Sequence, residues 1–295
     1  MKRSFGLGSE WLYYKLYTGA KSADIVLSEK LAPVIAELEA NHTIEQWFFI
    51  RYNDPDNHLR IRFKCDTPEK TGLVISALYP ILEELLENDV VWKVQTDTYN
   101  RELERYGEAT MLESETMFCA DSRMILDYIS LKPYFEHEET QLHFSFLAID
   151  QFLTAFELDS AAKLQLMDGL QQAFKNEFNA DKNLRKQFDK HYRSLQHDIE
   201  LFISGNAKND FEAIYLLIEE KQKKTVVLTP SIKEKLPIDL FDFLASHIHM
   251  MVNRQYTSKQ RYYECLIYDH LHRYYKMNHF KEMNLKKENS IESIS

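Results

Sequence analysis

The chain is poor in the residues that mark several protein classes: its 295 residues include three cysteines, seven glycines and seven prolines. Cys65, Cys119 and Cys265 lie far apart and without a CxxC spacing, so the sequence indicates neither a disulfide framework nor a thiolate zinc site. The scarcity of glycine and proline, together with 44% hydrophobic residues, excludes collagen-like and wholly disordered chains. We therefore expect a packed globular protein in a reducing compartment.

Long apolar runs and an excess of positive charge are also absent. No run approaches the roughly 20 apolar residues that span a bilayer, and the N-terminus lacks the apolar segment of a secretory signal. With 46 acidic against 36 basic residues, the formal net charge is −10, which argues against a protein that coats nucleic acid nonspecifically. The sequence predicts a cytoplasmic protein without a membrane span, and it leaves room for a local basic pocket.

Alternating and helical periodicities follow one another in the first hundred residues. In chain order they predict strand, helix, strand, strand, helix and strand over Trp11–Tyr17, Ser22–Ala40, Gln46–Tyr52, His58–Lys64, Pro68–Leu86 and Val90–Tyr99. This is the order of a split βαββαβ, or ferredoxin-like, sheet with its helices on one face. In that topology the first and third strands lie in the centre, and the fourth pairs beside the first.

From about Arg101 onward the composition predicts helices, with Thr229-Pro230 among the breaks between them. The predicted fold class is therefore α+β, with an N-terminal split βαββαβ sheet packed against a mainly helical C-terminal half. Because no linker rich in proline, glycine or serine separates the halves, we expect one domain. Its predicted ranges are a sheet part at 1–105 and a helical part at 106–280, giving a domain at 1–280 and a disordered tail at 281–295.

The strand His58–Lys64 carries two arginines on one face. Alternation puts its apolar residues on one side and Arg60 and Arg62 on the other. Residues two apart in a strand are separated by about 7 Å, so two guanidinium groups can bind one small dianion or two neighbouring carboxylates. The same pattern is more typical of an exposed strand face that carries basic residues for solubility, and spacing does not settle which interpretation holds.

A third arginine follows the last predicted strand. In YNRELERYG, Arg101 and Arg105 lie four apart and share a side if a helix begins there. Arg101 would leave the sheet near the strand arginines and extend an anion site. The alternative is internal pairing with nearby glutamates (Glu102, Glu104, Glu108), which would form a surface salt-bridge ladder of little energetic value.

The late helix FDFLASHIHMMVNRQY carries a polar stripe beside its apolar one. Asp242, Ser246, His249 and Asn253 follow one another at offsets of four, three and four. In such a stripe His249 could titrate near neutrality and exchange a proton with a substrate, or it could be a hydrogen-bonded interfacial residue. His247 lies on the apolar side, which predicts a packed histidine.

Metal and cofactor motifs are absent from the sequence. Histidines two apart diverge by about 200° on a helix, so neither His247 with His249 nor His270 with His272 converges on one ion. There is no HExxH, GxGxxG, GxxxxGK[ST] or GxSxG motif. We predict neither a bound metal nor a cofactor.

Four ordered segments together resemble a known family: WLYYKLYTG, the hairpin WFFIRYNDPDNHLRIRFK, YNRELERYG and HIHMMVNR. They are similar to the small C-terminal elimination domain of lantibiotic dehydratases, which also occurs as stand-alone thiopeptide-type bacteriocin biosynthesis proteins. The last segment matches the family's IHM-x-x-NR pattern. Glu108 departs from the family, which often has a second glycine after RYG.

The resemblance implies a lyase that acts on a ribosomally made precursor peptide. A glutamyl-tRNA-dependent partner glutamylates its serine or threonine, and this domain then expels glutamate to leave dehydroalanine or dehydrobutyrine. The residues implied in elimination fall on Arg60, Arg62, Arg101 and His249. The implied partners are the precursor peptide and the glutamylating enzyme. No direct tRNA binding is expected, and a homodimer is compatible with the family type.

Two other functions remain open within the same resemblance. Some stand-alone relatives perform a [4+2] cycloaddition between two dehydroalanines that forms the pyridine core of thiopeptides. Alternatively, the chain is a noncatalytic precursor-binding partner of a split dehydratase. Retention of all four elimination-type residues favours the lyase.

Overall fold

The computed structural model of the chain describes residues 1–135, 139–177 and 181–292. The chain divides into two compact units, of which the first comprises Met1–Phe135 with Lys223–Ser258, and the second comprises Glu136–Gln222 with Lys259–Ser295. The sequence predicts one domain at 1–280 with a boundary near 105 between its parts. The division into units instead follows tertiary packing, so each unit is built from two separated segments.

The first unit contains the predicted sheet. Its strands are β1 (Ser4–Phe5), β2 (Trp11–Thr18), β3 (Gln46–Tyr52), β4 (His58–Lys64), β5 (Val91–Thr96) and β6 (Tyr99–Asn100). Four of them form an antiparallel sheet in the order β3-β4-β2-β5, while β1 pairs only with β6. The first and third predicted strands lie in the centre, which confirms the split βαββαβ order.

Two helices of the first unit begin at a side-chain N-cap. The helices of this unit are α1 (Ser22–Ile25) with a π-helical turn (Val26–Leu31), α2 (Ala32–Ala40), α3 (Pro68–Glu87), α4 (Leu103–Tyr106), α5 (Met111–Leu131) with a 3-10 turn (Lys132–Tyr134), the end of α9 (Glu212–Lys235), and α10 (Leu240–Gln255). Thr67 caps α3 by accepting a hydrogen bond from the Lys70 N–H. Asp239 caps α10 by accepting from the N–H groups of Phe241 and Asp242.

One face of the sheet is apolar and covered by α1 and α2. Leu59, Ile61 and Phe63 on β4 are buried there. On the same face of β3, Trp47 donates its indole N–H to Glu39 of α2 at 3.0 Å, and Arg51 pairs with Asp24 of α1 at 2.5 Å. The alternation predicted for His58–Lys64 therefore decides which face becomes core.

Side chains from two helices form hydrogen bonds with the backbone groups at the outer edge of β3. The amide of Asn253 accepts from the Arg51 N–H at 3.0 Å and donates to the Arg51 carbonyl at 2.9 Å. At Phe49, the N–H donates to Ser122 of α5 at 3.1 Å, and Arg254 donates to the carbonyl at 2.8 Å. Helices α5 and α10 are thereby fixed against the strand that neighbours the two arginines of β4.

The second unit is helical, as the sequence predicts. It contains α6 (Thr140–Ala155), α7 (Ser160–Glu177), α8 (Lys182–Ser204), α11 (Gln260–Glu292) and the start of α9 (Glu212–Lys235). Asp181 caps α8, and Gly205 ends it in the left-handed region at a φ of 83° that favours glycine. None of the described helices is both long enough and apolar enough to cross a membrane.

One sequence expectation differs from the structure. The predicted break at Thr229-Pro230 is wrong, because α9 continues through Pro230 to Lys235. Proline removes one backbone hydrogen bond from a helix, but Thr229 and Ile232 are buried beside it, and their packing holds the helical path. The sequence also predicts a disordered tail at 281–295. Helix α11 runs through Glu292, and residues 293–295 lie outside the described residues.

The capped edge of β3 generates a prediction about stability. Asn253→Ala leaves the N–H and carbonyl of Arg51 without their partners, so we expect a loss of about 1–3 kcal/mol in the free energy of unfolding. Urea unfolding measures the loss. Asn88→Ala, which removes one exposed side-chain bond to Glu84, is the matched control. Equal losses in the two variants would contradict the capping role.

Candidate functional site

Arg62 is the most enclosed cation on the arginine face of the sheet. It stands opposite Tyr13 on β2 and Phe48 on β3, and its side chain is 7% exposed. Its guanidinium carbon lies 4.3 Å from the centroid of the Tyr13 ring, 5.1 Å from that of Phe48 and 4.9 Å from that of Tyr99. Three aromatic rings therefore surround the charge.

The guanidinium of Arg62 forms no ion pair with a described residue, although the Glu102 carboxylate lines the cavity beside it and acts to raise the pKa of Arg62. Among the described residues, no group forms a hydrogen bond with its buried Nε or Nη1. Burial lowers the pKa of Arg62, yet an arginine remains charged at neutral pH. Desolvating such an ion costs several kcal/mol, of which contacts with ring faces restore about 0.5–2 kcal/mol each. A buried, unpaired guanidinium is the arrangement expected of a group that binds an anion.

A small cavity adjoins this guanidinium, with a volume of about 40 Å³. Phe48, Arg62, Tyr99, Glu102, Met250 and Arg254 are among its lining residues. A buried water needs roughly 10–15 Å³ measured in this way, so the cavity accommodates a carboxylate group but not a whole amino-acid side chain.

Arg254 is a second cation of the cavity, and reasoning from the sequence missed it. Its side chain is fully buried, and it donates to the carbonyls of Phe49 and Met250 at 2.8 and 3.1 Å. The Asp121 carboxylate lies 3.6 Å from its Nη1, while its Nη2 has no hydrogen-bond partner among the described residues. Burial lowers the pKa of Arg254, Asp121 raises it, and Arg62 lowers it further. The residue closes the HIHMMVNR motif, which was the signal available in the sequence.

Arg60 shares the face of Arg62 but lies in a different environment. The register pairs Arg60 with Ile50 and Lys15, which confirms that the two arginines project from the same side of β4. Arg60 is half-exposed, its guanidinium carbon lies 3.5 Å from the centroid of the Tyr52 ring, and its Nε donates to Nε2 of His58 at 3.0 Å. Because His58 accepts this bond, its Nδ1 carries the proton and donates to the Asp56 carbonyl at 2.8 Å. Burial lowers the pKa of His58, which favours this neutral form.

Arg101 forms a buried ion pair instead of lining the cavity. Its Nε and Nη2 donate to the two carboxylate oxygens of Glu115 at 2.7 and 2.6 Å, and the side chains are 4% and 1% exposed. Burial alone would lower the pKa of Arg101, but the Glu115 carboxylate raises it. Tyr99 donates its hydroxyl to the same carboxylate at 2.9 Å. Arg101 is thus connected to Arg62 through Glu115 and the ring of Tyr99.

The glutamates expected to pair with Arg101 have other partners. Glu102 pairs with Arg105 at 3.0 Å, and Glu104 pairs with Arg3 at 2.7 Å, both on the surface. The surface-ladder interpretation therefore holds for Arg105 and is wrong for Arg101. Glu115 lies fourteen residues away on α5, beyond the reach of a local pattern.

His249 lies on α10 near the cavity but does not line it. It is half-exposed, it precedes the lining residue Met250, and it lies one helical turn before Asn253. Its part in chemistry stays a prediction. His247 is fully buried among Tyr106, Phe118 and Phe243, which confirms the packed histidine.

Thiolate chemistry has little support in the structure. The three cysteines are free, and burial raises the pKa of Cys119 to about 12 and that of Cys265 to about 11, so neither is a ready nucleophile. Within the described ranges, histidine, cysteine, aspartate and glutamate form no group of three or more arranged to hold a metal ion.

The contrast between two buried arginines generates a second prediction. Arg62→Met removes a buried cation without an anionic partner, so the free energy of unfolding should rise by about 1–3 kcal/mol. Arg101→Met leaves the buried Glu115 carboxylate without its cation, so the free energy of unfolding should fall by about 3–5 kcal/mol. Urea unfolding without added anions measures both. Destabilisation of similar size in the two variants would show that Arg62 has a partner and is not an anion-binding group.

Comparisons with known proteins identify the family. Residues 11–275 match the family described as Lantibiotic biosynthesis dehydratase C-term. The chain is 28% identical over 231 residues to nisin biosynthesis protein NisB of Lactococcus lactis subsp. lactis, covering 72% of this chain and 22% of NisB. It is 27% identical over 182 residues to subtilin biosynthesis protein SpaB of Bacillus subtilis, covering 59% of this chain and 17% of SpaB. The chain thus spans about a fifth of the length of these relatives.

Solved structures share the fold. The tRNA-dependent lantibiotic dehydratase MibB from Microbispora sp. 107891 aligns with a TM-score of 0.72 and 21% identity, over 91% of this chain and 28% of MibB. The pyridine synthase TbtD from thiomuracin biosynthesis aligns with a TM-score of 0.60 and 13% identity, over 91% of this chain and 100% of TbtD. Because the family match extends over most of the sequence, the chain belongs to the lantibiotic dehydratase C-terminal family.

Proposed function

We propose that the chain is a lyase that eliminates glutamate from glutamylated serine or threonine of a ribosomal precursor peptide during lanthipeptide or thiopeptide biosynthesis. The products are dehydroalanine and dehydrobutyrine. Family membership supports the peptide substrate, and the unpaired guanidinium of Arg62 beside a carboxylate-sized cavity is the observation that carries the reaction. A separate enzyme would supply the glutamyl ester from glutamyl-tRNA.

The chemistry needs an anion site of this kind. A base removes the α-proton of the glutamylated residue, its electron pair forms the α,β double bond, and the bond from the β-carbon to the ester oxygen breaks. The electrons of that bond leave with glutamate as a carboxylate. Preorganised cations in a dry cavity stabilise this growing negative charge far better than water does. Arg62 and Arg254 supply two such cations. Glu102 also lines the cavity but is paired with Arg105, and the Asp121 carboxylate lies 3.6 Å from Arg254.

The other site residues take different parts in this proposal. Arg60, half-exposed on the same face, contacts the outer carboxylate of the glutamyl group through a charge-assisted bond. His249 exchanges a proton with the substrate, as base at the α-carbon or as acid at the leaving group. Arg101 is a positioning residue, because Glu115 occupies its Nε and Nη2 and a substrate would have to displace a buried ion pair.

An elimination assay provides the third prediction. Arg62→Lys keeps the charge but loses the planar fork, so conversion of glutamylated precursor should slow by about 100-fold. Mass spectrometry follows the loss of glutamic acid, with no tRNA in the reaction. Arg193→Ala, which alters an exposed arginine of the second unit paired with Asp189, is the matched control and should react at the wild-type rate.

The same assay separates the alternative functions. Full-rate dehydration by Arg62→Lys would overturn the lyase role of this site. Loss of the leader peptide with ring formation from a dehydrated precursor would assign a pyridine synthase, the activity named for the structural neighbour TbtD. An unchanged precursor in the presence of the glutamylating partner would assign a noncatalytic partner role.

The connection from Arg101 to Arg62 gives a fourth prediction. Tyr99→Phe keeps the ring beside Arg62 and loses only the bond to Glu115, so kcat should fall by no more than about threefold. Tyr99→Leu removes the ring, so kcat should fall by about 30-fold while KM changes little, because the displaced guanidinium still attracts the substrate. Steady-state kinetics on glutamylated peptide measure both. Equal kcat values in the two variants would contradict positioning through the ring.

A further inference from the structure

A separate pocket lies within the second unit, and its proposed role is independent of the elimination reaction. It is formed by the first turn of α6, the C-terminal half of α8 and the loop that follows, and its volume is about 550 Å³. Three carboxylates line it, those of Glu139, Asp198 and Asp210. None of the three forms an ion pair with another described residue. By contrast, Asp189 and Glu200, which lie on α8 as Asp198 does, both pair with basic side chains.

A buried histidine lines the same pocket and also lacks a partner. His143 is 7% exposed, and its Nε2 has no hydrogen bond to any described residue. Its ring stacks on Phe202 with centroids 4.7 Å apart and an angle of 22° between the planes. Burial lowers the pKa of His143, against smaller opposing effects of Asp198 and Glu139, so the imidazole is neutral and presents one acceptor nitrogen.

Apolar groups complete the lining. Leu195, Leu201, Phe202, Ala207 and Phe211 line the pocket together with the histidine and the carboxylates. The pocket therefore combines negative charge, one hydrogen-bond acceptor and an aromatic wall. The N-terminus of α6 carries a partial positive charge of about half an elementary charge, which repels a cation. The three carboxylate charges of the pocket exceed it.

We propose that this pocket binds the side chain of an arginine residue in a peptide. A guanidinium is planar, weakly hydrated and able to stack on aromatic rings, while its N–H groups donate to carboxylates and to a neutral imidazole. Its three methylene groups suit the apolar wall. A lysine ammonium carries the same charge but is more strongly hydrated and does not stack, so the pocket should prefer arginine.

Calorimetric titration of the whole chain with acetyl-Ala-Arg-Ala-amide tests the proposal. The matched ligand contains citrulline, which has nearly the same shape without the charge. Physiological ionic strength screens the general attraction of a cation to a chain with a net charge of −10. We expect the arginine peptide to bind at least about tenfold more tightly than the citrulline peptide, and more tightly than its lysine analogue.

Two variants and a control locate the site. Asp198→Asn and His143→Phe should each weaken binding of the arginine peptide by about fivefold or more, and His143→Phe should unfold at the wild-type midpoint or above because the ring stack survives. Glu200→Gln removes one charge two residues from Asp198, at a residue that pairs with Lys281, and should leave binding unchanged. Equal weakening by Glu200→Gln, equal binding of the citrulline or lysine peptide, or no binding at about 10 mM ligand would overturn the proposal.

Discussion

The first unit is organised around one unfavourable interaction, the burial of the Arg62 guanidinium without an anion. A charge in that position loses its hydration, and the protein returns only part of that energy through the rings of Tyr13, Phe48 and Tyr99. Each ring is held by the register of a strand or by a buried hydrogen bond. The remaining deficit is energy that an anionic ligand can recover on binding, because the guanidinium is already held beside the cavity.

Arg101 and Arg62, the two buried arginines near Tyr99, have different roles although their side chains are chemically the same. Arg101 meets Glu115 in a bidentate pair, which fixes β6 against α5 and holds the Tyr99 hydroxyl. Among the described residues, Arg62 contacts the rings of Tyr13, Phe48 and Tyr99 and lines a cavity, without forming an ion pair. An ion pair with both partners present stabilises a geometry, whereas a solitary ion keeps its donors available for a substrate. The position of the Arg62 guanidinium therefore depends on the Arg101–Glu115 ion pair, which holds Tyr99 in place.

The two units carry pockets of opposite sign. In the first, the guanidinium groups of Arg62 and Arg254 face the Asp121 carboxylate and the carboxylate of Glu102, and Glu102 is itself paired with Arg105. In the second, three carboxylates surround a neutral histidine. Peptide substrates carry both charged and apolar side chains, so separate pockets of opposite charge can recognise an acidic adduct and a basic residue independently. Neither pocket is visible in the net charge of the chain, because charge averaged over a sequence says nothing about local placement.

The sequence by itself determined the antiparallel strand order and the face of β4 that bears Arg60 and Arg62, because alternation with a period of two assigns sides without reference to partners. It also contained the motif that ends in Arg254. Only the tertiary structure decided that Arg62 is enclosed while Arg60 is half-exposed, since depth depends on which elements pack above a face. The same holds for the pairing of Arg101 with Glu115 and for the passage of α9 through Pro230. In each case contacts from distant parts of the chain outweigh the conformational preference of the local sequence. A local sequence pattern does not predict such contacts.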